Sequence, residues 1–126
     1  MKRLIVDLDD TISYKQSGDY NAALPNNQLI DKLKEYKARG FDIVLNTSRN
    51  MRTYQGNIGK INANTLPVII EWLNAHDVPY DELYTGKPWC GFEGFYIDDK
   101  AIRPSEFINH TYEEIIDLLN NEKREL

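Results

Sequence analysis

The protein has 126 residues, of which 41% are apolar and 28% are charged. This length and composition are typical of one globular domain with a single hydrophobic core. The net charge of −5 argues against a general binder of nucleic acids or anionic membranes but leaves room for an anionic small substrate. No apolar run has the length of a membrane span, and one cysteine allows no internal disulfide, so we expect a cytoplasmic protein.

The first apolar run is followed at once by acidic residues. Leu4-Ile5-Val6 predicts a strand that is buried on both faces, and Asp7 and Asp9 come directly after it. In open α/β sheets, ligands bind at the carboxyl ends of such strands. Two like charges this close together are costly unless a cation or a reacting phosphate shares the site. The turn after the first strand is therefore a candidate site.

The next segments predict a βαβ unit. Residues 13–27 are polar and lack sustained periodicity, which indicates a loop or a small flap beside the acidic turn. Asn26 or Asn27 can cap a helix from Gln28 to about Arg39, with a buried stripe of Leu29, Ile30, Leu33 and Tyr36. Residues 41–46 then predict a second strand that ends at Thr47. Strand, helix and strand in this order favour a parallel pair.

The second half of the chain has a less regular pattern, and residues 50–64 have the least regular pattern of all. Thr65 can cap the next helix, whose predicted buried stripe is Leu66, Ile69, Ile70 and Leu73. Short strands are predicted over residues 82–85 and 95–97, and residues 107–108 predict an edge strand. A capping box from Thr111 to Glu114 predicts the start of the last helix. The whole pattern indicates a small doubly wound α/β domain.

Polar groups of complementary type follow each of the four main predicted strands. In chain order they are Asp7 and Asp9, then Thr47, then Lys87, and then Asp98 and Asp99. A parallel sheet brings such strand ends to one edge. In type, order and spacing, these residues resemble the four motifs of the haloacid dehalogenase (HAD) superfamily, beginning with Asp-x-Asp-x-Thr. The resemblance covers about residues 1–110. It implies a three-layer, Rossmann-like (HAD-like) doubly wound parallel sheet and a phosphomonoester hydrolase.

The resemblance also implies a role for each motif residue. Asp7 would be the nucleophile that forms an aspartyl-phosphate, and Asp9 would be the general acid and base. Thr47 and Lys87 would hold the phosphoryl oxygens. The implied cofactor is Mg²⁺. Its expected ligands are Asp7, the backbone carbonyl of Asp9, and Asp99 or Asp98, of which Asp99 is favoured as the direct ligand.

The spacing of the motifs leaves no room for a cap domain. The first gap holds only the flap over residues 13–27, and the second holds one loop, one helix and one short strand. We therefore expect a single capless domain over residues 1–126. Capless members of the superfamily act on large substrates or close their site with a neighbouring subunit, and we expect a homo-oligomer.

The segments Asn46–Thr53 and Gly86–Gly91 are similar to those of capsule-polysaccharide biosynthesis phosphatases. This similarity implies a small phosphate ester as substrate, namely a phosphorylated sugar or sugar acid, with neither a nucleic acid nor a membrane as partner. Its anionic groups would be bound by residues Ser48, Arg49, Arg52 and Lys60. One alternative is a capless phosphatase that acts on a protein or a polynucleotide. A remote alternative is a receiver-like phospho-acceptor module, but there the phospho-accepting Asp follows a middle strand, whereas the third strand here ends in no Asp.

Overall fold

A computed structural model of the protein describes residues 1–16 and 19–125, and the side chains of residues 15, 16, 19–22, 124 and 125 are outside this description. In chain order the elements are β1 (Arg3–Val6), β2 (Ser13–Gln16), β3 (Asp19–Pro25), α1 (Asn27–Ala38), β4 (Asp42–Asn46), α2 (Ile58–Asn64), α3 (Leu66–Ala75), β5 (Glu82–Tyr84), α4 (Pro104–Asn109) and α5 (Tyr112–Glu125). The predicted α/β class is confirmed. None of the described helices combines the length and the apolar character that crossing a bilayer requires.

The chain divides into two compact units, Met1–Trp89 and Cys90–Leu126. The first unit contains a parallel three-stranded sheet in the order β1-β4-β5. The register aligns Val6 with Leu45 and Asn46 with Tyr84, so the carboxyl ends of the three strands meet at one edge. This arrangement confirms the predicted βαβ unit and is consistent with a small Rossmann-like fold. The single domain over residues 1–126 stays a prediction.

The two neighbouring strands β1 and β4 differ sharply in burial. Ile43, Val44 and Leu45 of β4 are 0 to 2% exposed, whereas Ile5 at the centre of β1 is 58% exposed. The prediction that β1 is buried on both faces was therefore wrong. The reason is positional, because β4 lies in the middle of the described sheet while β1 lies at its edge.

The polar stretch after β1 forms an antiparallel hairpin of β2 and β3, in which Tyr14 pairs with Leu24. The predicted loop or small flap is therefore a β-hairpin. Residues 17 and 18 lie outside the described residues. The Trp72 indole N–H donates to the carbonyl of Ala23 at 3.0 Å, which attaches the hairpin to α3. The Asn26 side-chain amide donates to the carbonyl of Thr11 at 3.1 Å and links the hairpin base to the acidic turn.

The helix α1 agrees closely with its prediction. The side chain of Asn26 caps it by accepting a hydrogen bond from the N–H of Leu29. The four residues of the predicted stripe are all buried: Leu29, Ile30, Leu33 and Tyr36. This agreement follows from local signals, since the cap and the period of the apolar residues both lie within the helix itself.

The region between β4 and β5 departs from its prediction at three places. The stretch with the least regular pattern contains α2, which is capped by the Asn57 side chain and buries Ile61. In α3, Thr65 occupies the cap position without a capping bond, and its hydroxyl donates to the side-chain oxygen of Asn50 at 2.7 Å. The buried residues of α3 are Ile69, Trp72 and Leu73. Ile70 is 37% exposed, so the predicted stripe was wrong there.

Both strands predicted in the second unit are absent. Residues 95–97 have no strand partner among the described residues, and Phe95 and Ile97 are 76% and 89% exposed. Residues 107–108 lie inside α4, which starts with Pro104 in its first turn, a position that proline favours. The predicted capping box of α5 is confirmed, because the N–H of Glu114 donates to the Thr111 hydroxyl and the N–H of Thr111 donates to the Glu114 carboxylate.

Candidate active site

The acidic turn after β1 is held by backbone hydrogen bonds to a single carbonyl. The oxygen of Leu8 accepts from the N–H groups of Thr11, Ile12 and Ser13 at 3.3, 2.9 and 3.1 Å. Leu8 and Ile12 are fully buried and anchor the turn in the core. Asp10 takes the left-handed conformation with φ of 62° and is exposed. The turn therefore presents two carboxylates, Asp7 and Asp9, at the carboxyl end of the sheet.

The Asp7 carboxylate lies between a hydroxyl and an ammonium group. One oxygen accepts from the Thr11 hydroxyl at 3.1 Å, and the other accepts from the Lys87 ammonium at 3.4 Å. The Asp7 side chain is 34% exposed. Burial raises the pKa of Asp7 above its ordinary value, and the charge of Lys87 offsets part of this effect. Carboxyl groups whose pKa is shifted by burial and by a neighbouring charge are common at functional sites.

Thr47 and Lys87 are brought together by the backbone. Beyond the end of β4, the N–H of Thr47 donates to the carbonyl of Tyr84 at 2.9 Å, and the N–H of Lys87 donates to the carbonyl of Thr47 at 3.1 Å. Parallel pairing of β4 and β5 therefore continues past the strands themselves. Gly86 turns the chain toward Lys87 with φ of 83°, and a Cβ at this position would collide with the Cδ1 atom of Ile58. The positive φ is what favours glycine here, since the Ile58 methyl is the end of a flexible side chain.

The second carboxylate of the turn is bound to a buried arginine. The Nε and Nη2 groups of Arg49 donate to the two carboxylate oxygens of Asp9 at 3.1 and 2.7 Å. The Arg49 side chain is only 2% exposed, and that of Asp9 is 24% exposed. The N–H of Arg49 also donates to the Thr47 hydroxyl at 3.1 Å. A two-pronged pair of this kind fixes both the position and the plane of the Asp9 carboxylate.

The other predicted substrate-binding residues lie in the segment after β4 and in α2. Ser48 is half-buried, and its carbonyl accepts from the N–H of Met51 at 3.0 Å. Arg52 and Lys60 are exposed, and the N–H of Lys60 donates to the side chain that caps α2. Their roles in substrate binding stay predictions. Arg49, by contrast, is buried and bound to a carboxylate of the turn.

Asp98 and Asp99 belong to the second unit, where both are exposed. The N–H of Lys100 donates to the Asp98 carboxylate at 3.1 Å, and this bond, with a further one from Asp99, holds the pKa of Asp98 below its ordinary value. Across the part of the chain that the structure describes, no three or more His, Cys, Asp or Glu side chains are grouped so that they could hold a metal ion. The Mg²⁺ site therefore stays a prediction.

Sequence reasoning missed the partner of Arg49 and the supports of the turn. Arg49 comes two residues after Thr47, so the sequence already placed it at the same sheet edge as Asp9, because the carboxyl ends of parallel strands meet there. Their opposite charges could have predicted that the two side chains pair. The side-chain bond from Asn26 to the carbonyl of Thr11 had no such signal. Capping of α1 is enough to explain an asparagine at position 26. Its second bond, to the carbonyl of Thr11, depends on how the hairpin packs and could not be predicted locally.

The fold and the site define a small α/β protein with paired carboxylates, a lysine and a buried arginine at the carboxyl edge of a parallel sheet. A protein from Vibrio cholerae, known from its crystal structure, is 57% identical to this chain, with a TM-score of 0.95 and coverage of 97% of this chain and 99% of that one. The chain belongs to the same family as the Vibrio cholerae protein.

A more distant likeness is to a chain in the structure of the Pnkp1/Rnl/Hen1 complex, with a TM-score of 0.51 and 21% identity. That match covers 86% of this chain but only 34% of the other, and it shows a shared fold alone. No protein-family model matches the chain. No curated protein matches it either.

Proposed function

We propose that this protein is a Mg²⁺-dependent phosphomonoester hydrolase that works through an aspartyl-phosphate, with a phosphorylated sugar or sugar acid as substrate. The observation that supports this most directly is the contact between residues far apart in sequence: Lys87 binds the Asp7 carboxylate at 3.4 Å, and its backbone binds Thr47 at 3.1 Å. A nucleophilic carboxylate, a cation and a hydroxyl are the groups that phosphoryl transfer requires. The resemblance to the HAD superfamily assigns the same three residues to this chemistry.

In the proposed reaction the Asp7 carboxylate attacks phosphorus, and the ester oxygen leaves as an alcohol with a proton from Asp9. Water then attacks the phosphorus of the aspartyl-phosphate while Asp9 takes a proton from that water. This step releases phosphate and regenerates Asp7. Lys87 offsets the charge that develops on the phosphoryl oxygens. The Thr47 hydroxyl accepts from a backbone N–H, so its own hydrogen remains to donate to one of these oxygens.

We assign Arg49 a positioning role in this reaction. Both oxygens of Asp9 accept from its guanidinium, which orients the carboxylate, and each oxygen keeps a second lone pair that can carry the transferred proton. A side chain that is 2% exposed and bound in this way is poorly placed to meet a substrate. The exposed cations Arg52 and Lys60 are better candidates for the anionic groups of the sugar.

The oxygen donors at the turn fit the Mg²⁺ ion that the resemblance implies. Mg²⁺ usually binds through one or two carboxylates and keeps several waters. The Asp7 carboxylate and the backbone carbonyl of Asp9 would be two of its ligands, and the 34% exposure of the Asp7 side chain leaves room for a hydrated ion. Asp99, with Asp98 beside it, is the proposed further ligand. When bound, the ion would neutralise negative charge on the phosphoryl group.

The test is phosphate release across a panel of phosphorylated sugars, sugar acids, nucleotides, a phosphopeptide and an aryl phosphate, with and without Mg²⁺. The key variant is Asp7→Asn, and its matched control is Asp10→Asn, which changes an exposed acid of the same turn at a left-handed position that asparagine tolerates. We expect turnover that disappears with chelator and with Asp7→Asn but persists in Asp10→Asn. Activity that survives Asp7→Asn would overturn the assignment of the nucleophile.

A further inference from the structure

The turn that carries Lys87 is not held in place by its own backbone. It follows β5, which is only three residues long. Gly86 stands immediately before Lys87 with φ of 83°, a conformation that glycine adopts easily but can also leave easily. Proline at position 88 restricts the backbone of Lys87 but not that of Gly86. The direction of the turn therefore depends on contacts with other elements.

One of these contacts comes from the end of β4. The N–H of Lys87 donates to the carbonyl of Thr47 at 3.1 Å, which attaches the backbone of the lysine at one point. The ammonium of Lys87 lies 3.4 Å from an oxygen of Asp7. A flexible four-carbon stem separates this ammonium from the backbone, so a change in the direction of the turn would move the charge away from Asp7. A single backbone bond does not fix that direction.

The helix α2 supplies two further contacts, at the two residues that precede Lys87. The Thr85 hydroxyl donates to the side-chain oxygen of Asn62 at 2.5 Å, which is short for a bond of this kind. The Cδ1 methyl of Ile58 lies so close to Gly86 that a Cβ there would collide with it. Ile58 and Asn62 are four positions apart and share one face of the helix. One face of α2 thus contacts two consecutive residues of the turn.

α2 is itself attached to the rest of the first unit. Ile61 is fully buried, and the Asn57 side chain caps the helix by accepting from the N–H of Lys60 at 3.1 Å. At the other end, the N–H of Thr65 donates to the carbonyl of Ile61 at 2.8 Å, and the Thr65 hydroxyl bonds to Asn50. A helix of seven residues is marginal alone, so these contacts are what stabilise it. The turn before Lys87 therefore rests on an anchored helix.

We propose that α2 positions the catalytic lysine, with Asn62 and Thr85 as positioning residues that act through Lys87. This role rests on the proposed function. The bond between Asn62 and Thr85 fixes the turn before Gly86. The bond from Lys87 to Thr47 fixes it after Gly86. With both ends held, the lysine side chain starts from a defined point, and its ammonium stays where charge develops on the phosphoryl oxygens.

The test compares Thr85→Val, which keeps the shape of the side chain and removes its hydroxyl, with Tyr84→Phe. This control removes a hydroxyl from the preceding residue, whose 2.9 Å bond goes to Glu82 and not to α2. Misplacement of a reacting group by about 1 Å costs roughly 100-fold in rate. Because the bond to Thr47 remains, we expect a smaller fall in kcat for Thr85→Val, about tenfold, with KM little changed. Tyr84→Phe should match the wild type, and Thr85→Ser, which keeps the hydroxyl, should retain the activity.

The other partner of the bond gives an independent variant. Asn62→Ala removes the acceptor and should lower kcat as far as Thr85→Val does. The double variant should be no slower than either single variant, because all three remove the same bond. Additive losses, or a Thr85→Val enzyme as fast as the wild type, would overturn the proposal. An equal loss in Tyr84→Phe would do the same, since it would not depend on the contact with α2.

Amide hydrogen exchange at Lys87 reports on the order of the turn without any substrate. The exchanging N–H is the one that bonds to the carbonyl of Thr47. Its exchange rate should rise about fivefold in Thr85→Val, the change expected from the loss of one ordinary hydrogen bond. Tyr84→Phe should leave the rate unchanged. Equal rates in Thr85→Val and the wild type would show that α2 does not hold the turn.

The two measurements separate the failure of this proposal from that of the proposed function. If the wild type hydrolyses no phosphate ester, the proposed function fails, and exchange at Lys87 still decides whether α2 holds the turn. If the wild type is active and Thr85→Val exchanges faster with an unchanged kcat, the positioning role is overturned while the proposed function stands.

Discussion

The ion pair between Arg49 and Asp9 should contribute far more to stability than a surface pair of the same geometry. The chain offers a matched control, since Arg3 binds Glu82 at 3.0 Å with side chains that are 34% and 40% exposed. The Arg49–Asp9 pair is closed at 2.7 Å with side chains that are 2% and 24% exposed. The variants to compare are Asp9→Asn and Arg49→Met in the first pair and Glu82→Gln and Arg3→Met in the second.

Burial sets the expected magnitudes. Removal of one partner from a fully buried pair costs about 3–5 kcal/mol, because the remaining charge stays out of water. Asp9→Asn leaves the buried guanidinium with an amide in place of its carboxylate, so we expect a loss of about 3 kcal/mol. Arg49→Met leaves a carboxylate that water can still reach at 24% exposure, so the loss should be smaller, about 2 kcal/mol. Either variant of the surface pair should cost less than about 1 kcal/mol.

The assay is urea unfolding followed by circular dichroism, with the free energy of unfolding obtained by linear extrapolation at a shared slope. The double variant Asp9→Asn/Arg49→Met completes a thermodynamic cycle, and we expect a coupling free energy of about 2 kcal/mol between the two residues. A coupling no larger than that of the surface pair would refute the reasoning. So would a greater loss in Arg49→Met than in Asp9→Asn, because the variant that leaves the more deeply buried charge without its partner should cost more.

Four further variants, one of them a control, test other parts of the first unit by urea unfolding. Burial raises the pKa of Asp7, so its ionised form opposes folding at neutral pH, and Asp7→Asn should raise the urea midpoint at pH 7. This gain should shrink as the pH falls through the raised folded pKa of Asp7 and should be gone below 3.8. A lower midpoint at pH 7 would contradict this. The bonds of Asp81 to α1 and β4 hold its pKa below 3.8, so its stabilisation is present above 3.8 and is lost as the pH falls through the folded value. Asp81→Asn should therefore destabilise at pH 7 but not in acid, whereas Asp42→Asn, which removes only a 3.8 Å contact to the same lysine, should have little effect at either pH. Trp72→Phe removes the bond to the carbonyl of Ala23 and should cost about 1–2 kcal/mol, and an unchanged stability would show that this bond does not hold the hairpin.

Local signals were sufficient for several elements. α1 was predicted with its cap and its complete buried stripe, and the capping box of α5 was predicted from Thr111 and Glu114. The parallel pairing of β1 with β4 and the meeting of Asp7, Thr47 and Lys87 at one edge also followed from the sequence. The reason is that parallel βαβ connections have few geometrical solutions, so residues that follow successive strands must come close together.

Other features depended on contacts that no local pattern contains. Ile5 has the residue type of a buried strand, but its exposure is decided by which segment lies next to β1. Residues 95–97 have high strand propensity, yet a strand forms only where a partner completes its hydrogen bonds, and none is present in the described chain. Residues 107–108 of α4 were predicted as a strand although Pro104 and Glu106 are typical of the first turn of a helix. The sequence therefore contained the signal for this helix, and its interpretation was wrong.

The sequence by itself therefore determined the α/β class, the parallel pairing of β1 with β4, and the presence of Asp7, Thr47 and Lys87 at the carboxyl edge. Only the tertiary structure decided that Arg49 is buried against Asp9 and that Trp72 rather than Ile70 faces the core. Propensity and periodicity indicate which backbone conformation a segment favours and on which of its faces the apolar side chains lie. The bond between Arg49 and Asp9 and the bond between Trp72 and Ala23 join residues 40 and 49 positions apart, and their free energies exist only once the chain has folded.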